Sequence, residues 1–576
     1  MDAAKHSEGS IHDADLVPMT EAPVSTSQSE ITGCGANIEP RVVTPINSNS
    51  RTSKTTIGSR RRPMMLLQDD PTDQRNGNEP VSEPDANKDP YNLNNLDAGW
   101  DGSNDPENPH NWSRSRKLTS VMLISLYRTT TMMAGSFLAP ALQKITADLQ
   151  ITNVQQTNII LSVYVLAFAV GPLLLGPTSE VFGRLPVLHT ANVFFLIFNI
   201  AASFSTTAGQ MTAFRFLGGI AGSAPMALGA SILGDFYTVK ERGSSMGYYT
   251  ALPLVGFALG PIPSGFLVQH ASWRWAFHIL SILAAITTVV GFFYMRETYG
   301  PVLLERKQRR GTLNRLEMSE STSFHQHWRA LWAKWRVALP RPFYLLFTQP
   351  LIQALALFAA YIYGLDYLTV TVFPDVWTKE YHESSGIGSI NYVSLAVGFM
   401  LASQVFTPLQ DKVAFVRVLF YYLADGTYQT YTRLMRRNND LPCPEYRAPL
   451  MLLGAAFVPT GLFWFGWSIH AKLHWVMPNI GACLFAMGIV TTLQVVNPYV
   501  VEAYEGQAAS AVAAVSIVRS IAGFGFPLFA PRMFDALGYG WGSSVLGFFG
   551  VVVGLPAPIL LWYFGSKLRN AAIKRS

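Results

Sequence analysis

Gly176-Pro177-Thr178-Ser179-Glu180-Val181-Phe182-Gly183-Arg184 is the stretch from which the fold can be read. It puts a carboxylate, two glycines and an arginine between two apolar runs, 157–176 and 187–204. Soluble proteins rarely bracket so compact a charged turn with segments of about 20 apolar residues, the length that spans a bilayer. The stretch is therefore expected to be a tight loop at a membrane surface.

Composition agrees. Of 576 residues, 49% are hydrophobic and only 14% are charged, against roughly 25% charged in an average soluble domain. The deficit is uneven. Residues 1–112 are rich in Ser, Thr, Asn, Asp and Pro, cannot bury enough apolar surface to offset their ordering entropy, and are expected to form a disordered tail. Within the tail, Arg60-Arg61-Arg62 precedes Met64, Met65, Leu66 and Leu67, a solvated linker or a lipid-touching patch. The opening MDAAKHSEGS has no apolar core, so a cleavable signal peptide is not expected. Cys34, Cys443 and Cys483 give neither a disulfide framework nor metal-ligand spacing. The net charge of +6 sits in a few loops, which speaks for membrane topology and against nucleic acid as a partner.

Twelve apolar windows can be counted: 118–140, 157–176, 187–204, 212–233, 244–268 and 275–295, then 351–373, 387–407, 449–469, 475–499, 509–530 and 541–564. They divide into bundles of six at 113–296 and 346–566, separated by a polar loop, 297–345, and followed by a short tail, 567–576. Lys and Arg gather on one side: Arg114, Arg116 and Lys117, then Arg184, Lys240 and Arg242, the central loop, and Lys567 and Arg569. The opposite loops hold scattered charges such as Lys144, Lys379 and Lys472. Both termini are thus expected in the cytoplasm, leaving the sequon Asn111-Trp112-Ser113 unmodified. In the central loop Phe324, Trp328, Leu331, Trp332, Trp335 and Leu339 recur at helical spacing, an amphipathic helix that lies in the interface or packs on the bundle.

The spacing Gly176, Glu180, Gly183, Arg184 resembles motif A of the major facilitator superfamily. Arg215, in Arg215-Phe216-Leu217-Gly218-Gly219, resembles motif B. The run from Gly256 to Gly265, with Gly260, Pro261 and Pro263, resembles motif C of the antiporter branches. Trp273-Arg274-Trp275-Ala276-Phe277, Glu297-Thr298-Tyr299 and Pro444-Glu445-Tyr446-Arg447 are similar to phrases of fungal twelve-span drug:proton antiporters. The resemblance implies an all-α integral membrane protein with twelve transmembrane helices in two six-helix bundles. It implies proton-coupled export of drugs, toxins or secondary metabolites by alternating access, without enzymatic activity, at the plasma or vacuolar membrane. In motif A an ion pair of Glu180 with Arg184 would latch one gate state, and the glycines would permit the turn. Gly256, Gly260, Pro261 and Gly265 would pack helices closely or restrict proton leak.

Charges within spans are costly and mark candidate functional groups. Arg128, Arg215, Asp366 and Arg519 stand inside the windows. The resemblance places Arg128, Arg215 and Asp366 toward a central cavity, where Arg128 and Asp366 could pair across the halves. Asp366 is the carboxylate set well inside a span, suited to carrying a proton, whereas an arginine stays charged. The arginine excess suits an amphipathic, anionic or carbonyl-rich small molecule. Protons and the lipid bilayer complete the expected partners of a monomer without cofactor or metal. Gln410-Asp411-Lys412 faintly echoes motif A in the second half, but 413–429 intervenes, either a foreign insertion or an extra interfacial helix. Gly-x-x-x-x-Gly-Lys-Ser/Thr does not occur, so ATP-driven transport by this chain is not expected. An importer or exchanger of a nutrient or polyamine, and a transporter-like nutrient sensor, remain the alternatives.

Overall fold

The structure, a computed structural model, describes residues 100–101, 105–237, 239–313, 324–406, 444–504 and 507–573. The arginine cluster at 60–62, the Gln410-Asp411-Lys412 echo and the 413–429 run lie outside the described residues. Among those described, all regular structure is helical. The first half holds α1 (Arg114–Ser136), α2 (Leu142–Asp148), α3 (Val154–Phe182), α4 (Arg184–Ser203), α5 (Ala208–Gly222), α6 (Ala224–Phe236), α7 (Val239–Leu259), α8 (Pro261–His270) and α9 (Arg274–Tyr294). Between the halves come α10 (Gly300–Leu313), α11 (Phe324–Ala338) and α12 (Pro340–Thr348). The second half holds α13 (Pro350–Asp375), α14 (Ser385–Ile390), α15 (Val393–Leu401), α16 (Ala448–His470), α17 (Val476–Ala503), α18 (Ala508–Phe549) and α19 (Pro556–Ile573).

Among the described residues, ten helical segments are long and apolar enough to cross a membrane. Helix α1 falls outside that set because Arg128 and a series of Ser and Thr dilute its apolar residues. Their hydroxyls are satisfied within the helix: Ser125 donates to the Val121 carbonyl, Thr129 to that of Ser125, Thr130 to that of Leu126. The last of the ten segments, Ala508–Arg569, runs 62 residues, far beyond the roughly 20 that span a bilayer. It is not straight. Gly538 adopts φ 69° and ψ 169°, a conformation nearly restricted to glycine. Phe534 stacks on Tyr539 at 5.3 Å and abuts Gly542, whereas eight residues of straight helix would rise about 12 Å. The chain therefore turns at Gly538.

Burial separates inner from outer helices. The most apolar stretch of α13 is 94% buried, while those of α4 and α9 bury 39%. On α9, Ile282, Ile286, Val289 and Phe293 are all exposed at spacings of four, three and four, one outward apolar face of the kind a bilayer covers. The halves meet where α8 faces α14. Gly265 lies directly against Ser389 and the Ser385 carbonyl, and Gln143 donates to the Asp375 carboxylate at 3.0 Å. A cavity of about 360 Å³ opens beside this contact, lined among others by Gln143, Asn158, Asp375, Lys379 and Asp535.

Two expectations need correction. Residues 176–182 are not a loop but the last two turns of α3, and the break is confined to Gly183 at φ 98°. Helix continues because Thr178 and Ser179 return hydroxyl hydrogen bonds to the Leu174 and Gly176 carbonyls around Pro177. The stretch expected as tail ends in packed chain. Asp105 is buried and paired with Lys307 of α10, and Trp112 stacks on Phe236 at 5.9 Å.

Candidate functional site: a charged corner and a cationic interior

At the start of α4 the absent side chain of Gly183 leaves the helix without a cap of its own. Glu297, 6% exposed just after α9, supplies one. Its carboxylate accepts from the backbone amides of Arg184 at 3.0 Å and Leu185 at 3.2 Å, and from those of Thr298 at 3.0 Å and Tyr299 at 2.9 Å. A negative charge at a helix N-terminus also meets the positive end of its dipole. Gly183 is required twice over, because a Cβ there would collide with that carboxylate.

Arg184 does not pair with Glu180. Its Nε lies 3.7 Å from Asp235 at the end of α6, its Nη1 donates to Ser179 at 2.7 Å, and its guanidinium covers the Tyr299 ring at 4.8 Å. Glu180 points away and meets Lys334 of α11 at 3.5 Å, so the central-loop helix packs on the end of α3. The geometry follows from the helical form of residues 176–182: Glu180 and Arg184 are separated by the break at Gly183 and leave in different directions. Gly176 has open space around it and makes no close helix contact.

The motif C glycines serve two surfaces. Gly256 and Gly260 face Thr129, Met133 and Ser136 of α1, Gly265 faces the second half, and Pro261 opens α8 where α7 ends.

The four expected membrane charges fall into three situations. Arg215, 3% exposed, spends its donors on backbone: Nε to the Ile160 carbonyl at 2.9 Å, Nη1 to that of Ala134 at 3.1 Å, Nη2 to that of Leu161 at 3.2 Å. It thereby pins α5 to α1 and α3, with the Tyr164 ring beneath at 5.0 Å. Asp366, 8% exposed on α13, has no hydrogen-bond or ion-pair partner among the described residues. The expected pairing with Arg128 is absent. Arg128 instead lies over the Tyr249 ring at 4.5 Å and donates Nη1 to the Tyr249 carbonyl at 3.3 Å. Arg519 lies over the Tyr363 ring at 5.2 Å, with Nη2 3.9 Å from the Met226 sulfur. The Nε of both arginines is buried without a partner. Tyr363 stands within electrostatic reach of Arg519, Asp366 and Arg128, and of the three Arg519 is the one stacked on its ring.

A second charged corner was not anticipated as a site. Arg447, at the start of α16, donates Nε to both oxygens of Glu502 at 3.1 Å, and Arg569 lies 3.4 Å from Glu445. Glu445 is buried, which raises its carboxyl above the usual range. The legible signal was positional: an arginine opening the third helix of a half and a carboxylate closing the fourth, as with Arg184 and Asp235.

Comparison with known proteins gives a consistent result. The Major Facilitator Superfamily pattern matches residues 124–527. The efflux pump vrtL of Penicillium aethiopicum is 40% identical over 84% of this chain and 92% of its own. The efflux pump radE of Floropilus chiversii is 36% identical over 82% and 84%. Among solved structures, the xylose transporter XylE from E. coli, in a partially occluded inward open conformation, superposes with a TM-score of 0.54 at 14% identity, over 78% of this chain and 97% of XylE.

Proposed function

The chain belongs to the major facilitator superfamily, and from that premise we propose that this multi-pass membrane transporter is a proton-coupled exporter of drugs or secondary metabolites. Its relatives named efflux pumps, at 40% and 36% identity, support the outward direction. Twelve crossings follow if α1 crosses despite its polarity and the segment divided at Gly538 crosses twice. Both termini then lie in the cytoplasm, with the Lys and Arg clusters, and the plasma membrane is the expected site of a monomer that expels its substrate from the cell.

The observation that carries proton coupling is the isolated Asp366. Uphill export must draw on an ion gradient, and moving one charge through 100 mV supplies about 2.3 kcal/mol. The carrier needs a group that gains and loses a proton between its two states. A buried carboxylate without a fixed partner can do this, whereas Arg215, committed to three carbonyls, cannot. Asp366→Asn is expected to abolish efflux against a gradient while downhill exchange in proteoliposomes survives. Uphill efflux that persists in Asp366→Asn, and still collapses with a protonophore, would move the coupling role elsewhere, with Asp235 the next candidate.

A further inference from the structure

We infer that Arg128 and Arg519 form the anion subsite of the transported molecule, and that this molecule is an organic anion whose acidic oxygens adjoin a flat unsaturated ring system. The inference rests on the reading of the chain as a small-molecule exporter and names the substrate class for it. Two positive charges buried at membrane depth are costly singly, and each increases the cost of the other. Here they lie within electrostatic reach of one another, and neither has a carboxylate partner among the described residues. Arg215 shows how this fold satisfies a guanidinium for structural ends, with three carbonyls on three nitrogens. Among the described residues Arg128 has one carbonyl, Arg519 one thioether, and both Nε atoms are orphaned. A group left short of acceptors in a buried setting is completed by a ligand or loses free energy.

The shape of the missing partner can be read as well. Tyr249 covers a face of the Arg128 guanidinium and Tyr363 a face of Arg519, so their N–H edges are what a ligand can reach. Edge-on donors in a planar fork match a carboxylate, enolate or phenolate better than a point cation would. Beside them the buried rings of Tyr363, Tyr367 and Phe257 follow each other at 5.1 and 5.3 Å, an aromatic cluster on which a conjugated ring would stack once the halves part. Tyr249 is held in place by donating to the Pro225 carbonyl at 2.9 Å. One arginine belongs to α1 in the first half and the other to α18 in the second. An anion bridging them therefore binds best when the halves bring both within reach, which ties occupancy to the alternating movement.

The test uses the full chain in lipid nanodiscs with two matched probes, 2-naphthoate and its neutral counterpart 2-naphthamide. Binding by tryptophan quenching is expected to favour the naphthoate at least tenfold. Arg128→Gln and Arg519→Gln should each bring the two probes within threefold of one another, with naphthamide binding unchanged. Arg519→Lys, which keeps the charge and loses the fork, should retain a reduced preference. Equal binding of the two probes by the unmodified protein, or a full preference persisting in both glutamine variants, overturns the inference. Should a glutamine variant fail to insert, thermal stabilisation of the unmodified protein decides: a shift with naphthoate and none with naphthamide supports the site, and equal shifts refute it. Transport in oriented vesicles separates this claim from the export reading. Selective binding with inward movement would overturn the direction and leave the site. Outward movement of both probes alike would overturn the site and leave the direction.

Discussion

The two charged corners occupy corresponding places in the two halves, yet they are built from opposite chemistry. In the first, the arginine at the helix start is loosely tied to its carboxylate: Arg184 meets Asp235 through one contact of 3.7 Å and its Nε has no hydrogen bond, while Ser179 and the Tyr299 ring hold the rest of the guanidinium. The firm element is Glu297, whose carboxylate takes four backbone amides. In the second, the arginine is the firm element, with Arg447 engaging both oxygens of Glu502. The cause lies in how each helix begins. Helix α4 starts after a glycine at positive φ, which offers no side chain for the exposed amides, so a carboxylate must come from elsewhere. Helix α16 starts instead after Arg447, which brings a side chain of its own to the corner; a proline stands in the first turn of both helices, Pro186 and Pro449, so the missing N–H does not separate them. A corner anchored by capping leaves its arginine free to change partners, whereas one anchored by a two-oxygen ion pair does not. We propose on that basis that the first corner acts as the moving gate and the second as a hinge.

The largest expected effect tests the capping. Glu297→Ala leaves four amide donors without their acceptor, at a cost on the order of 3 kcal/mol, and should lower the unfolding temperature of the purified protein more than Glu445→Ala does. Glu297→Gln, which keeps one acceptor oxygen, should fall between. Equal losses for the two alanine variants would remove the asymmetry on which the comparison stands.

Next come the arginines, where stability and transport should divide. Arg447→Ala strips Glu502 of its two-oxygen partner and should destabilise by roughly 1–2 kcal/mol. Arg184→Ala should cost less than about 1 kcal/mol yet reduce flux at least tenfold, because it removes the mobile partner of Asp235. Melting curves and initial rates on the same preparations decide. If Arg447→Ala is the variant that folds normally and fails to transport, gate and hinge must be exchanged.

The helical membrane architecture was legible because bilayer thickness fixes the length of a span and lipid admits only apolar faces, so windows such as 157–176 and 275–295 declare themselves. Helix α1 was found as a window although serines and threonines weaken it. The family resemblance was legible in spacing alone. What spacing could not give was pairing. Glu180 and Arg184 were expected to form a latch across a tight loop, but residues 176–182 are helical and the break at Gly183 turns their side chains apart. Arg128 and Asp366 looked like counter-ions because both are costly in a membrane, yet the ring and the backbone carbonyl of Tyr249 answer part of that cost for Arg128. Glu297 was read as part of a phrase and not as a cap, since nothing in a linear sequence says that a residue 113 positions after Arg184 reaches its amide.

The smallest expected effect concerns the residue that sequence reading valued most. Glu180 meets Lys334 at 3.5 Å, with side chains 47% and 22% exposed. Exposed pairs of this kind contribute about 0–1 kcal/mol. Glu180→Gln should therefore leave the melting temperature unchanged and the flux within about twofold of the unmodified protein. A double-mutant cycle with Lys334→Gln should show a coupling below about 0.5 kcal/mol. The alternative has a distinct signature. If Arg184 releases Asp235 when the gate moves and takes up Glu180 instead, Glu180→Gln would match Arg184→Ala in lost flux while its effect on stability stays nil. That outcome would restore the latch as a property of the opposite state. It would also sharpen the comparison between the corners, because it would show the loosely held arginine exchanging one carboxylate for another.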